Sequence, residues 1–205
     1  MTRCAARLWT VALVAAASVL VAEIAWGAGV SVSSARLGVG TLSVPSFHPT
    51  ALTISRKGKA GGISKGDELI VTFSGPLQVA SICPGLPQQA TTVLNNVIVS
   101  LADGGATNDQ MTVTAGPLNC LLPRIGSFDL GATTHATGLL LTFTASELTI
   151  TQAGTITVLL GNPTLPVPGS ANGPTVVRYT PHASVSSSTG QPVSGLASTV
   201  SAVHF

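Results

Sequence analysis

The tightest constraint in this chain is the run Lys65-Gly66-Asp67-Glu68-Leu69-Ile70-Val71-Thr72-Phe73-Ser74-Gly75-Pro76-Leu77. Gly66 and Asp67 suit a tight turn. Leu69, Val71 and Phe73 then alternate with Ile70, Thr72 and Ser74, the period of a strand with one face on a core. Gly75-Pro76 ends the ladder, because proline has no N–H to donate. The stretch 67–74 is read as a core strand of a β-sandwich, with the later strands packed around it.

The rest of the chain supplies such strands. Thr50–Ser55 reads as the first. Arg56–Ser64 is a glycine-rich loop, and Leu77–Ile82 a short edge strand leading into Cys83-Pro84-Gly85. Val93–Leu101 places Val97, Val99 and Leu101 on one face. Asp103–Asp109 is a turn, and Gln110–Ala115 returns with Met111 and Val113 facing one way, the clearest hairpin in the chain. After Gly116-Pro117, Ile125–Leu130 is a short strand or loop. Gly138–Ala145 and Glu147–Thr151 are two further strands. Thr155–Leu160 pairs with the second of them across Gln152-Ala153-Gly154. Asn162–Pro174 holds four prolines and is assigned to a loop. Thr175–Tyr179 and Thr199–Phe205 are late strands. Val and Thr favour strands, Gly and Pro turns, and no segment after the N-terminal region sustains a helical period. The expected fold is all-β: a single β-sandwich after an N-terminal signal peptide.

The signal peptide is read from Arg3 and Arg7, the apolar run Leu8–Ala22, the break at Glu23 and the segment Ala25-Trp26-Gly27, with cleavage near Gly27–Ala28. The alternative is an uncleaved anchor, but this run is short of the roughly 20 residues that span a bilayer. Four segments follow: 1–27 the leader, 28–48 a flexible N-terminal segment, 49–182 the sandwich, and 183–205 a Ser/Val-rich tail with a final strand. The address implied is secreted, extracellular or cell-surface. The chain has nine Lys and Arg against seven Asp and Glu. Losing Arg3, Arg7 and Glu23 with the leader leaves it close to neutral. No whole-surface field then attracts nucleic acid or an anionic membrane, and no aromatics interleave with the basic residues for base stacking.

Cys83 and Cys120 are the two cysteines beyond the leader. In an oxidising compartment an even pair invites a bridge; two buried free thiols are the alternative. A bridge would close a loop of 37 residues, worth about 4 kcal/mol by chain entropy.

The segment order resembles the bacterial immunoglobulin-like modules of exported and surface-layer proteins. The residues that carry the likeness are Gly66–Leu77, Asn108-Asp109-Gln110-Met111-Thr112-Val113, Gly126-Ser127-Phe128-Asp129-Leu130-Gly131 and Val177-Arg178-Tyr179-Thr180-Pro181. The resemblance implies an immunoglobulin-like β-sandwich with an extracellular address, serving as spacer, scaffold or adhesive unit. It brings no catalytic residues and no cofactor.

Candidate chemistry is sparse. Asp103, Asn108 and Asp109 crowd one turn and form a weak calcium candidate, although hairpin turns need the same residue types. Arg56, Lys57, Lys59 and Lys65 form a basic cluster for contact with a polyanion, or a solvated loop. His48, His135, His182 and His204 stand apart, without ligand spacing. No Gly-x-Ser-x-Gly elbow and no framed carboxylate pair points to a hydrolase. An outer-membrane barrel would need aromatic girdles and longer strands. The function expected is a non-catalytic structural or binding module. The alternative is a subunit of a fibre or surface layer joined by edge-strand pairing. The candidate partners are a cell-envelope component or further copies of the chain.

Overall fold

A computed structural model describes residues 46–57, 62–105, 107–133, 136, 138, 140–166 and 175–201. The leader, the segment up to residue 45, Lys59, His135 and His204 lie outside the described residues. In chain order the elements are β1 (Pro49–Ser55), β2 (Glu68–Phe73), α1 (Val79–Ile82), β3 (Thr91–Ala102), β4 (Gln110–Ala115) and β5 (Gly126–Asp129). They continue with β6 (Leu141–Thr151), β7 (Thr155–Leu159), β8 (Asn162–Pro163), β9 (Thr175–Pro181) and β10 (Ala197–Ser201).

All the strands join one antiparallel sheet in the order β1-β2-β7-β6-β3-β4-β5-β9-β10, with β8 paired to β6. The sheet nearly closes into a barrel: backbones of β1 and β10 come within 8 Å without pairing. The alternation read around Phe73 holds, since Leu69, Val71 and Phe73 are buried while Thr72 is exposed. Inward residues of every long strand share one core, including Leu52, Leu94, Val99, Met111, Phe128, Ile150, Val158 and Val177.

The sheet folds over because its two longest strands change phase at the same level. In β3, Leu94 points inward before the bulge and Val97, Val99 and Leu101 after it; Asn96 takes the extra position at φ +59°. In β6, Leu141 and Phe143 point inward, then Ser146, Leu148 and Ile150, with Ala145 at φ +52°. Paired bulges bend both strands sharply. The lower half of β6 then pairs with β7, and the upper half of β3 with β4. The two halves of the sheet face each other through the rings. Phe47 stacks on Phe73 at 5.4 Å, Phe73 meets Tyr179 edge-on at 6.2 Å, and Tyr179 packs on Phe128 at 5.0 Å. The Tyr179 hydroxyl donates to the Ile125 carbonyl, and burial pushes its pKa up.

Three local expectations are corrected. Leu77–Ile82 is not an edge strand. Leu77 makes a single bridge to Ser187, and Val79–Ile82 is one helical turn with Val79 and Ile82 buried. The Gln88 side chain holds it: Oε1 accepts the Val79 N–H at 2.8 Å while Nε2 donates to the Leu77 carbonyl at 2.7 Å. Next, the two strands expected over 138–151 are one strand from Leu141 on, bulged at Ala145 rather than broken. Finally, Asn162-Pro163 adds a two-residue strand to β6. The Ser146 hydroxyl accepts the Gly161 N–H at 2.9 Å and donates to the Phe143 carbonyl at 3.0 Å, which turns the chain back along β6. Proline is tolerated there because β8 lies off the main path of the sheet.

The Cys83–Cys120 bridge is present, with Cα atoms 5.3 Å apart. It ties the end of α1 to the loop between β4 and β5. The final strand expected at Thr199–Phe205 is described over Ala197–Ser201, paired with β9.

Two measurements test these contacts. Cys83→Ser with Cys120→Ser should remove about 4 kcal/mol of stability, a fall of roughly 10 °C in Tm, read by calorimetry against the oxidised protein. Gly161→Ala would drive a Cβ into the Thr144 carbonyl oxygen. Its expected loss is about 1–3 kcal/mol in denaturant unfolding, and unchanged stability would disprove the close approach.

Candidate functional site

Four of the six described acidic residues, all aspartates, hold loops. Asp67, fully buried ahead of β2, accepts the Ser64 N–H at 2.8 Å and the Lys57 N–H at 3.2 Å. Asp109, also fully buried, accepts the Ala136 N–H at 2.8 Å and the Gly104 N–H at 3.3 Å. Asp103 accepts the Gly105 N–H at 2.7 Å and the Gly138 N–H at 2.5 Å. Those two donors hold its carboxyl below the usual range, Gly105 first. Of the sequence-based calcium set, Asp103 and Asp109 therefore turn carboxylate oxygens toward backbone N–H groups, and Asn108 sits half-buried beside them. Among the described residues no cluster of three His, Cys, Asp or Glu could hold a metal ion.

The basic cluster is partly tied down. Lys57 Nζ lies 2.6 Å from Glu68 Oε1, and Lys65 Nζ donates to Asn162 Oδ1 at 2.8 Å. Arg56 stands half-buried at the end of β1. Three of the four predicted residues are thus near one end of the sheet; the fourth, Lys59, lies outside the described residues.

The opposite end is chemically distinct. It carries α1, the disulfide, the β6–β7 turn, and the loops 116–125 and 182–196. Arg124 is the one Asp, Glu, Lys or Arg among these residues, joined by His182 and, nearby, His48. All six acidic residues beyond the leader lie along the strands or at the far end. Two wide-mouthed depressions open here. One, of about 520 Å³, is lined by Val113, Leu122, Pro123, Arg124, Thr180 and His182. The other, of about 570 Å³, is lined by Phe47, His48, Ser74, Pro76, Ser187 and Gln191.

The histidines are fastened locally. His48 Nδ1 is 2.8 Å from the Ser46 carbonyl, to which it donates. His182 Nδ1 accepts the Ser184 N–H at 3.1 Å, and Ser184 Oγ is 2.8 Å away. That hydroxyl also donates to the Ser81 carbonyl at 2.8 Å. Among the described residues at this end, no carboxylate stands with His182 and Ser184.

What the sequence did not single out is the loop Gly116–Pro123. Leu118 is 94% exposed, Leu121 66% and Leu122 56%. The loop is closed on itself: Gly116 N–H donates to the Leu121 carbonyl at 2.9 Å and Cys120 N–H to the Pro117 carbonyl at 2.8 Å. The Arg124 N–H donates to the Ile82 carbonyl at 2.9 Å. Leucines flanking a cysteine between prolines look like any core-seeking run; only the disulfide's position shows that they face water.

Comparison with protein-family models, with curated proteins and with solved structures finds no match.

The Asp103 assignment is testable. Its folded pKa is depressed, so its contribution to stability is present above the ordinary value of 3.8 and is lost as pH falls through the folded value. Carboxyl carbon NMR should place its midpoint below 3.8. Asp103→Asn should flatten the acid limb of the stability curve. A midpoint at or above 3.8 would show that the two backbone bonds do not form in solution.

Proposed function

We propose that this chain is an exported, envelope-associated structural or binding module of immunoglobulin-like sandwich type, acting through its surface rather than by catalysis. The observation that carries the reading is the buried Cys83–Cys120 bridge in an all-β domain. Such bridges persist in oxidising compartments, and the leader-like segment at residues 1–27 fits the same route. The folded-over sheet, with Phe73 and Tyr179 meeting across the interior, supports the sandwich part of the reading. A lipid-facing barrel is disfavoured by the polarity of the two faces. Apolar residues point inward, while Thr53, Thr72, Thr91, Thr149, Thr151, Thr155 and Thr157 lie on the outer side; a membrane barrel needs the reverse.

Edge-strand assembly is the second reading, favoured by the unpaired facing edges of β1 and β10. Their separation weighs against inserting a strand between them. A strand accepted there would need about 9.5 Å between its neighbours, and the two backbones already come within 8 Å.

Fractionation of a bacterial host producing the full chain tests the proposal. The expected product is an oxidised protein outside the cytoplasm whose N-terminus lies near Ala28. A cytoplasmic product with reduced Cys83 and Cys120 would overturn it. Light scattering separates the two readings: a monomer at high concentration supports the module, and growth into oligomers with concentration supports assembly.

A further inference from the structure

The end of the sheet that carries Leu118, Leu121 and Leu122 combines three properties that seldom coincide on a water-facing surface. Its leucines project outward on a loop that cannot collapse, because Cys120 is bonded to Cys83 and Gly116 to Leu121. It holds no carboxylate among the described residues of α1 and loops 116–125 and 182–196. Its one full charge is the exposed Arg124, which lines the same depression as Leu122 and His182. Leu196, 57% exposed just before β10, adds a further apolar side chain at this end.

We propose that this end docks on an anionic lipid bilayer, with Leu118, Leu121 and Leu122 entering the headgroup boundary and Arg124 meeting lipid phosphate. Charge selects the occupant's sign: a carboxylate-free apolar surface with an arginine is attracted to anionic headgroups. Shape selects a bilayer over a protein. Leu118 stands almost clear of the domain, and a protruding knob needs no preformed socket in a fluid interface, where apolar side chains insert and basic ones remain at the headgroups. The disulfide matters because it holds the leucines outward before contact, so no ordering of the loop opposes insertion. The inference rests on the reading of the domain as a binding module, but not on its export. Failure with vesicles would therefore leave the fractionation result untouched.

The test uses the full chain with Trp9→Phe, Trp26→Phe and Leu118→Trp, so that the indole reports on the loop and not on the leader. With vesicles of equal parts phosphatidylglycerol and phosphatidylcholine, its emission should shift to the blue and be quenched by lipids brominated near the glycerol. Pure phosphatidylcholine should give a weaker shift. In flotation, Leu121→Ser with Leu122→Ser should lower partitioning by about tenfold or more, and Arg124→Gln should lower it on anionic vesicles alone. Because these side chains are exposed, the variants should keep the parent Tm, which is measured alongside. An indole that stays water-exposed on both vesicles overturns the proposal. So does partitioning indifferent to the leucine changes, or a dimer that the leucine changes dissociate, which would make this end a contact between copies.

Discussion

The edge-to-face contact between Phe73 and Tyr179 is the point on which the fold closes. Phe73 ends the second strand of the sheet path and Tyr179 lies on the last strand but one. Two rings from opposite ends of a continuous sheet meet only if that sheet folds over on itself. Phe47 and Phe128 extend the row on either side. Each ring pair adds about 1 kcal/mol beyond the area it buries. The larger effect is topological: a chain with few aromatics places four of them along one line through the core, and the aliphatic side chains fill in around it.

Folding over requires a corner, and the corner is backbone chemistry. Asn96 on β3 and Ala145 on β6 are unpaired residues at the two neighbouring register shifts of this ladder, both in the left-handed region. Asparagine enters that region readily; alanine does so at a penalty of about 1 kcal/mol. The surrounding ladder, the Ser146 hydroxyl and the close approach of Gly161 hold it there. The carboxylates follow the same logic of local closure. Asp67, Asp103, Asp109 and Asp129 each accept backbone N–H groups from turns next to strand ends. In a domain with so few charges, these bonds set loop shape, while uncharged threonines clothe the outer face. The consequence is a polar asymmetry: acids gather away from α1, and the disulfide end is left nearly uncharged.

Much of the strand pattern was legible. The alternation at Leu69, Val71 and Phe73, the returning strand at Met111 and Val113, and the hairpin across Gln152-Ala153-Gly154 stand where their side-chain period put them. Pairing of Cys83 with Cys120 was expected from the two cysteines that lie beyond the leader-like segment, and the structure shows the bridge. What failed were places where a distant side chain overrode local preference. Gln88 bends Val79–Ile82 into a helical turn, and Ser146 with Gly161 redirects Asn162-Pro163 onto β6. Turns and ion sites recruit the same oxygens, so residue type alone did not show that Asp103 and Asp109 accept backbone N–H groups. The basic loop was readable as a cluster, yet its ion pair with Glu68 and its bond to Asn162 were not.

By itself the sequence determined the alternation around Leu69, Val71 and Phe73 and around Met111 and Val113, and the stop at Gly75-Pro76, because each follows from side-chain period and proline's missing donor. Only the tertiary structure decided which strands neighbour one another, where the sheet bends, and which apolar residues are left in water. Leu118, Leu121 and Leu122 show why. Hydrophobicity is a property of a residue, but burial is a property of its neighbours, and those neighbours are set by a disulfide and a register that act across tens of residues.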